Sequence, residues 1–491
     1  MVRKNVRNAM SVALVGVLIA ACGTDRETAD TTAPTEAVVT TEAPAPAGSD
    51  APAGSDAPVA TEEPTTTEPA AAMFGDEAWP CGPGDGANTD AGTEVGVTAD
   101  SITIGSGDDA GFAGSPGLSH EMTDAIKALV AKCNELGGIN GRTINLNYYD
   151  AKLLEVQAAM QSACDGENFF LVGQGWVFDG SQEELRLQCG LPSVPTYTVS
   201  AAFAHGTDMF QGVPNPADET TAGVFQQIAT ILPDEVGKVA TLTGAFAATQ
   251  ETRDKVLEVA PQFGWNFVSS TLESNPAGET DWTPFVKQIQ DSGATMISWQ
   301  GTCLPGLLAF AQTAKVNGLE VPIVVDSNHY AAQCADANDG ALDNLYIRMS
   351  YVPFEDAAAN PATQDYLDLI DEYGGDTAML GVQATSSFLL WATAATACGA
   401  ELTRECVLTN LKGTTSWTGH GLHAESNPGE NHPPKCSSIL RLVGNTYERV
   451  VPEEAATFEC EDSWIAPITS TSALADAKLD ENRISQQFAV G

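Results

Sequence analysis

The side chains able to do chemistry are unevenly placed along the 491 residues. His420 and His423 stand three apart in a Gly-rich stretch, with His432 nearby. A solvated loop explains them better than a metal site does. Asp336 to Gly340 begins like a calcium loop. The twelfth position is Ile347, where a bidentate Glu would be needed, so the loop is incomplete. Gly105-Ser106-Gly107 and Gly173-Gln174-Gly175 do not complete GxGxxG, and no GxSxG elbow occurs. No nucleophile stands with a base and an orienting acid. The reading is therefore a non-enzyme with no cofactor and no metal.

Cysteine is the most informative residue type. There are eleven, and the first is set apart. Arg3, Lys4 and Arg7 precede an apolar run from Ala9 to Ala21, which ends Leu18-Ile19-Ala20-Ala21-Cys22. The run is too short for a stable transmembrane helix and fits a signal-peptide core over 1–21. The aliphatic–small–small–Cys ending resembles a bacterial lipobox. Small side chains let the backbone enter a peptidase cleft, and the Cys22 thiol accepts the lipid. Two or three acyl chains anchor firmly where one does not. Ten further cysteines remain, at 81, 133, 164, 189, 303, 334, 398, 406, 436 and 460. An even number in an exported chain points to disulfides, and the absence of CxxC argues against zinc ribbons.

Charge narrows the partners. The formal net charge is −43, from 65 acidic and 22 basic side chains. Such a surface repels nucleic acid and anionic headgroups. Residues 22–76 form the next segment, Thr, Pro, Ala, Glu, Ser, Gly and Asp almost throughout beyond Cys22. Ala-Pro-Ala-Gly-Ser-Asp occurs there twice in tandem, at 45–50 and 51–56. This composition cannot bury enough apolar area to offset chain entropy, so it reads as a tether.

From about residue 98, short β-rich runs alternate with helical patterns. Strands are expected at 101–105, 143–149, 169–173 and 192–197. A second series is expected at 236–243, 265–271, 295–300 and 322–326. Helices are expected between them, at 122–136, 154–163, 180–187, 249–263, 282–292 and 304–317. Regular alternation implies parallel sheets with helices on both faces, and two blocks imply two doubly wound α/β lobes. Ligands then bind where the C-terminal strand ends face a crevice.

Ile102-Thr103-Ile104-Gly105, the glycine-rich stretch 134–142, Phe210-Gln211-Gly212-Val213-Pro214 and Thr280-Asp281-Trp282-Thr283-Pro284-Phe285, taken in order, resemble the type 1 periplasmic binding proteins of the Leu/Ile/Val (branched-chain amino acid) class. Asn134-Glu135-Leu136-Gly137-Gly138-Ile139-Asn140-Gly141-Arg142 is similar to that family's turn between first helix and second strand. Ile102-Thr103-Ile104-Gly105 resembles its opening strand. Phe210-Gln211-Gly212-Val213-Pro214 resembles its crossover, and Thr280-Asp281-Trp282-Thr283-Pro284-Phe285 the start of a second-lobe helix. The resemblance covers about 98 to 450. It implies a clamshell of two lobes joined by crossover strands. The N-lobe would be 98–212 plus 350–434, the C-lobe 213–349 plus 435–465, and 466–491 a C-terminal tail. The glycine-rich turn itself has a folding role: Gly137-Gly138 cap a helix, Ile139 enters the core and Asn140-Gly141 turn into a strand.

By position, the resemblance implies ligand contacts from Gln174, Trp176, Tyr197, Thr198 and Ser200 in one lobe. Phe246, Trp299, Thr302, Asp326 and Asn328 would face them from the other. Thr198 and Ser200 would donate to a carboxylate and Asp326 would accept an ammonium. The sequence departs from the family at three points. Gln174-Gly175-Trp176 replaces a Ser/Thr-rich loop, Phe246 replaces a Tyr, and Asn328 replaces an acid. An aromatic lining for a larger or cationic solute is the other reading. The implied function is an extracytoplasmic, lipid-anchored binding protein. It captures a small molecule, an amino acid or related polar solute, and delivers it to an ABC permease and its ATPase. A ligand-sensing surface receptor with the same fold is the alternative.

This topology also suggests disulfide pairs. Cys164 and Cys189 each precede neighbouring strands, and Cys303 and Cys334 each follow neighbouring strands. Cys398 and Cys406 flank a helix-to-helix turn, and Cys436 and Cys460 bracket a hairpin. Cys81 is left with Cys133. Ten cysteines admit many pairings, so this set is one among several.

Overall fold

The computed structural model describes residues 72–84, 88, 94–275 and 278–488. The expected signal peptide, Cys22 and the tether as far as residue 71 lie outside the described residues. The chain divides into units 1–68 and 69–491, and everything described belongs to the second.

Two sheets organise that unit. The first has four parallel strands in the order Thr143–Asp150, Ser101–Asp108, Phe170–Val172, Ser193–Val194. The second runs Phe267–Ser274, Val239–Gly244, Met296–Gln300, Ile323–Val325, Leu345–Met349, Cys436–Val443, Thr446–Val451. Its first five strands are parallel. The last two are antiparallel additions, and they come from a part of the sequence beyond the helices of the first lobe. The central strands are buried on both faces, as a parallel sheet covered by helices requires.

Helix His120–Glu135 buries Met122, Ile126, Leu129, Val130 and Cys133 at helical spacing. It packs on helix Met379–Thr396. That helix is apolar or small almost all round and is buried nearly throughout. Gly138 ends the first of these helices at φ +74, and a Cβ there would sit 2.0 Å from the Arg142 carbonyl oxygen. Ile139 is fully buried, and Asn140 and Gly141 both take positive φ in a turn closed by the Ile139–Arg142 backbone bonds. The Asn140 amide then donates to the Thr396 carbonyl, tying the turn to the second helix.

Sulfur–sulfur bonds join Cys81–Cys133, Cys164–Cys189, Cys303–Cys334, Cys398–Cys406 and Cys436–Cys460. The last pair lies directly opposite in an antiparallel ladder, with Cα atoms 4.2 Å apart.

Several element boundaries differ from expectation. The helix expected from 304 is regular only over Leu308–Val316, because Pro305 drives Leu304 out of the helical region to φ −113, ψ 138. The helix expected at 154–163 lies at Val156–Asp165, after Lys152 and Leu153 at positive φ. The helix expected at 180–187 is a 3-10 turn, Asp179–Ser181, followed by Glu183–Cys189. The strand expected at 192–197 pairs only over Ser193–Val194, since Pro195 supplies no ladder donor. The C-terminal tail, patternless in sequence, is ordered by distant partners. Ile465–Pro467 pairs with Glu219–Thr221, and the Arg483 guanidinium grips both oxygens of Asp218 at 2.7 and 2.8 Å. Glu258 accepts from the backbone and hydroxyls of Thr469 and Ser470.

Candidate functional site

The loops at the C-terminal ends of the strands enclose a cleft of about 550 Å³. Tyr197 and Thr198 follow Ser193–Val194 on one wall. Phe246, Thr302 and Asp326 to Asn328 follow three successive parallel strands of the other sheet. Phe178 of the first lobe meets Phe246 of the second edge-to-face, with ring centroids 6.4 Å apart. Aromatic pairs of this geometry are mutually attractive, so the two lobes touch through them.

Six of the ten residues expected at the site line this cleft: Tyr197, Thr198, Phe246, Thr302, Asp326 and Asn328. The Thr198 hydroxyl is already committed, donating to the Gln211 side-chain oxygen at 3.1 Å. Asp326 accepts from the Asn328 backbone N–H and contacts the His329 Nδ1 at 3.1 Å. Burial works against its charge, but the His329 ring and the neighbouring Arg348 hold the carboxyl below its ordinary range. Asp326 is thus a partnered carboxylate, not one waiting for an ammonium. Asn328 is exposed.

The other four lie away from the cleft lining, and these placements correct the expectation. Gln174 is 1% exposed and its amide donates to the Ser193 hydroxyl behind the sheet edge. Trp176, also 1% exposed, packs against Gly107 and among Val156, Met160 and Leu171. Gly107 supplies the space that a side chain would fill, which draws the indole inward. Ser200 caps the short helix Ala201–Ala204 by accepting from Phe203 N–H. Trp299 sits in an aromatic cluster with Trp282 and Phe310 at centroid distances of 5.8 and 5.7 Å. Alternation along a strand places its neighbours Ser298 and Gln300 on the opposite face.

Two buried carboxylates hold the cleft loops in place. Asp109 accepts from Leu153 and Val177 N–H at 2.8 and 2.9 Å. Burial nevertheless pushes it up to about 6. Asp179 accepts from Val199 and Ser200 N–H at 2.6 and 2.8 Å, fixing the segment that begins at Tyr197. Burial pushes it up to about 7.

The charged residues of the cleft were not anticipated. Glu121 is pushed up to about 7 by burial, with Asp108 and Asp376 adding repulsion. Burial pushes Glu251 up to about 7 and draws Lys255 down to about 8. The Lys255 ammonium donates to the Asn215 side chain and the Pro216 carbonyl. Arg348 lines the cleft near Asp326. One signal was readable: a lone arginine interrupts the otherwise apolar strand Leu345-Tyr346-Ile347-Arg348-Met349.

The histidines have separate partners. His423 joins the Ser386 hydroxyl, His432 the Glu219 carboxylate, and His420 lies 3.6 Å from Glu77. Among the described residues no group of three or more His, Cys, Asp or Glu is arranged to hold a metal ion.

A sequence profile described as periplasmic binding protein matches residues 101–446. The chain belongs to the periplasmic binding protein family. Its two-lobed α/β architecture is that of the type 1 members, whose place is outside the cytoplasm and whose work is to bind solutes. No curated protein matches it significantly in sequence. Solved structures share the fold. The branched-chain amino acid transporter substrate-binding protein LivJ from Streptococcus pneumoniae, in complex with isoleucine, is 15% identical at TM-score 0.58. The match covers 72% of this periplasmic binding protein and 99% of that chain. A solute-binding protein from R. palustris in complex with 4-hydroxybenzoate is 16% identical at TM-score 0.58, covering 75% and 97%. A fatty acid ABC transporter substrate-binding protein from Thermomonospora curvata is 16% identical at TM-score 0.60, covering 75% and 95%. Among the described residues no helix is long and apolar enough to cross a membrane.

Proposed function

We propose that this protein is the lipid-anchored receptor of an ABC importer, holding a small organic solute between its lobes for delivery to a permease. The observation that carries the reading is the cleft itself. Loops from both sheets converge on it at their C-terminal strand ends, where open α/β sheets bind ligands. Phe178 and Phe246 meet across it. In this reading 98–212 with 350–434 forms one jaw and 213–349 with 435–465 the other. Tyr197, Thr198, Phe246, Thr302, Asp326 and Asn328 contact the solute. The anchor is Cys22, supported by the basic start, the apolar run and the Leu18-Ile19-Ala20-Ala21-Cys22 ending, and the tether expected over 22–76 ends before Met73–Phe74, which pairs with Glu77–Ala78 and buries Phe74 in the fold. The ABC-transporter relatives of the same fold bind isoleucine, 4-hydroxybenzoate or a fatty acid, so the architecture accepts several bodies.

A clamshell receptor closes when its solute binds. Small-angle scattering of the full-length protein, with and without a solute that raises its melting temperature, tests this. A smaller radius of gyration is expected; an unchanged one in the presence of a saturating solute refutes the reading.

A further inference from the structure

Arg348 is the penultimate residue of the strand Leu345–Met349, where it pairs opposite Ile439 of the adjacent antiparallel strand. Its guanidinium lies over the Phe225 ring, 5.2 Å from the centroid. Nε donates to the Val325 carbonyl at 3.2 Å. That bond and the ring fix the plane of the fork. Nη1 and Nη2 have no protein acceptor among the described residues, and the residue lines the cleft. Asp326 is the one acid whose field acts on it noticeably, and the two make no ion pair within 4.0 Å. The Asp326 oxygen is instead engaged by His329 and by the Asn328 backbone. Burial draws the guanidinium below its ordinary pKa.

Arg348 is half-buried, and its unpaired N–H groups stay open to the cleft, where a bound acceptor would take the place of water. The planar fork matches the two oxygens of a carboxylate. The rest of the lining limits the charge of that acceptor. Glu121, Glu219, Glu251, Asp326 and Asp376 all border the cleft. The other cation, Lys255, already serves Asn215 and Pro216. A dianion such as phosphate would meet more repulsion than attraction. Phe225, Phe246, Tyr197 and Tyr351 offer apolar surface to the remainder of the molecule.

We propose that Arg348 anchors the solute and that the solute is a monocarboxylate with an apolar or aromatic body. This rests on the solute-binding reading above and names the chemistry of the same cleft. It moves the carboxylate from Thr198 and Ser200, whose groups are committed elsewhere, to the opposite wall.

The test is calorimetry and thermal shift on the full-length protein with benzoate, isovalerate and hexanoate. Benzamide, isovaleramide, benzylamine and inorganic phosphate are the controls. At least one carboxylate should bind, and its amide about 30-fold or more weaker, the lower end for losing one partner of a buried charge pair. Arg348→Gln should lose a similar factor, and Arg348→Lys, which keeps charge without the fork, should fall between. Unliganded melting of both variants reports whether the fold is intact, and Arg348→Lys carries the test if Arg348→Gln does not fold. Amide or amine binding as tight as carboxylate, preference for phosphate, or full affinity in both variants overturns the Arg348 assignment while leaving a solute-binding protein. Failure of every probe, together with failure of neutral and cationic solutes to shift melting, overturns both.

Discussion

Asp179 sets two physical effects against each other, and their balance can be measured. Its carboxylate accepts two backbone N–H groups, which favours the charged form. It is also 1% exposed, which favours the neutral form. Burial dominates and raises the folded-state value from 3.8 to about 7. Folded protein therefore binds a proton that unfolded chain has released between those limits. A raised acid favours the folded state below pH 3.8 and loses that advantage as pH climbs toward 7. Moving from 3.8 to about 7 corresponds to about 4 kcal/mol across the window. Asp179→Asn removes the titration and keeps the shape, but can accept only one of the two N–H groups. The orphaned donor costs about 1–3 kcal/mol at every pH. Urea unfolding of both proteins, followed by tryptophan fluorescence at pH 4.5, 5.5, 6.5 and 7.5, separates the terms. The variant should be the less stable protein at pH 4.5, and the deficit should shrink or reverse by pH 7.5. A deficit that grows with pH would mean that the Val199 and Ser200 donors outweigh burial, and that Asp179 is an ordinary ionised clamp.

Three further outcomes follow from the placement of individual residues. The paired change Cys436→Ser with Cys460→Ser opens a closure of 24 residues. It should cost about 3 kcal/mol in denaturant unfolding by the chain-entropy account; a loss near zero would mean that the ladder alone holds the strands. Trp299→Ala should lower stability by about 3–5 kcal/mol. Its solute affinity should stay unchanged, whereas an affinity loss without a stability loss would return Trp299 to the cleft. Cys22→Ala should move the protein from the membrane fraction to the soluble one with an unaltered far-ultraviolet spectrum, and continued membrane association would sink the lipid-anchor reading.

What the sequence could reveal divides along a physical line. Periodicity and turn chemistry are local, so the alternating strands and helices and the Gly137–Arg142 turn could be read from their own residues. Bends set by proline are not legible from apolar content: Pro305 and Pro195 each shorten an element that apolar content alone would extend. The C-terminal tail was opaque because its partners, Asp218, Glu219 to Thr221 and Glu258, lie more than 200 residues earlier.

The candidate site was harder because the direction of a side chain depends on what its neighbours leave open. Trp176 and Trp299 stand at strand ends where a ligand contact is expected. Gly107 leaves room for the first indole behind the sheet, and Trp282 and Phe310 surround the second. Burying an indole in a packed core gains more than leaving it on an open wall, so both turn inward. The consequence runs to chemistry. With Gln174 and Trp176 turned away, the first lobe keeps Tyr197 and a committed Thr198 on its wall, together with Glu121 and Asp376. An anion gains little from such a wall. Recognition of a carboxylate must then come from the second lobe, where Arg348 stands with its fork unpaired. An amino-acid ammonium would fall to Glu121 or Asp376, not to Asp326, which His329 already engages. Acids line both walls, Glu121 and Asp376 on the first and Glu219, Glu251 and Asp326 on the second, so it is the Arg348 fork that would set the second apart, and a solute held there that also reaches Tyr197 would span the cleft and couple binding to closure.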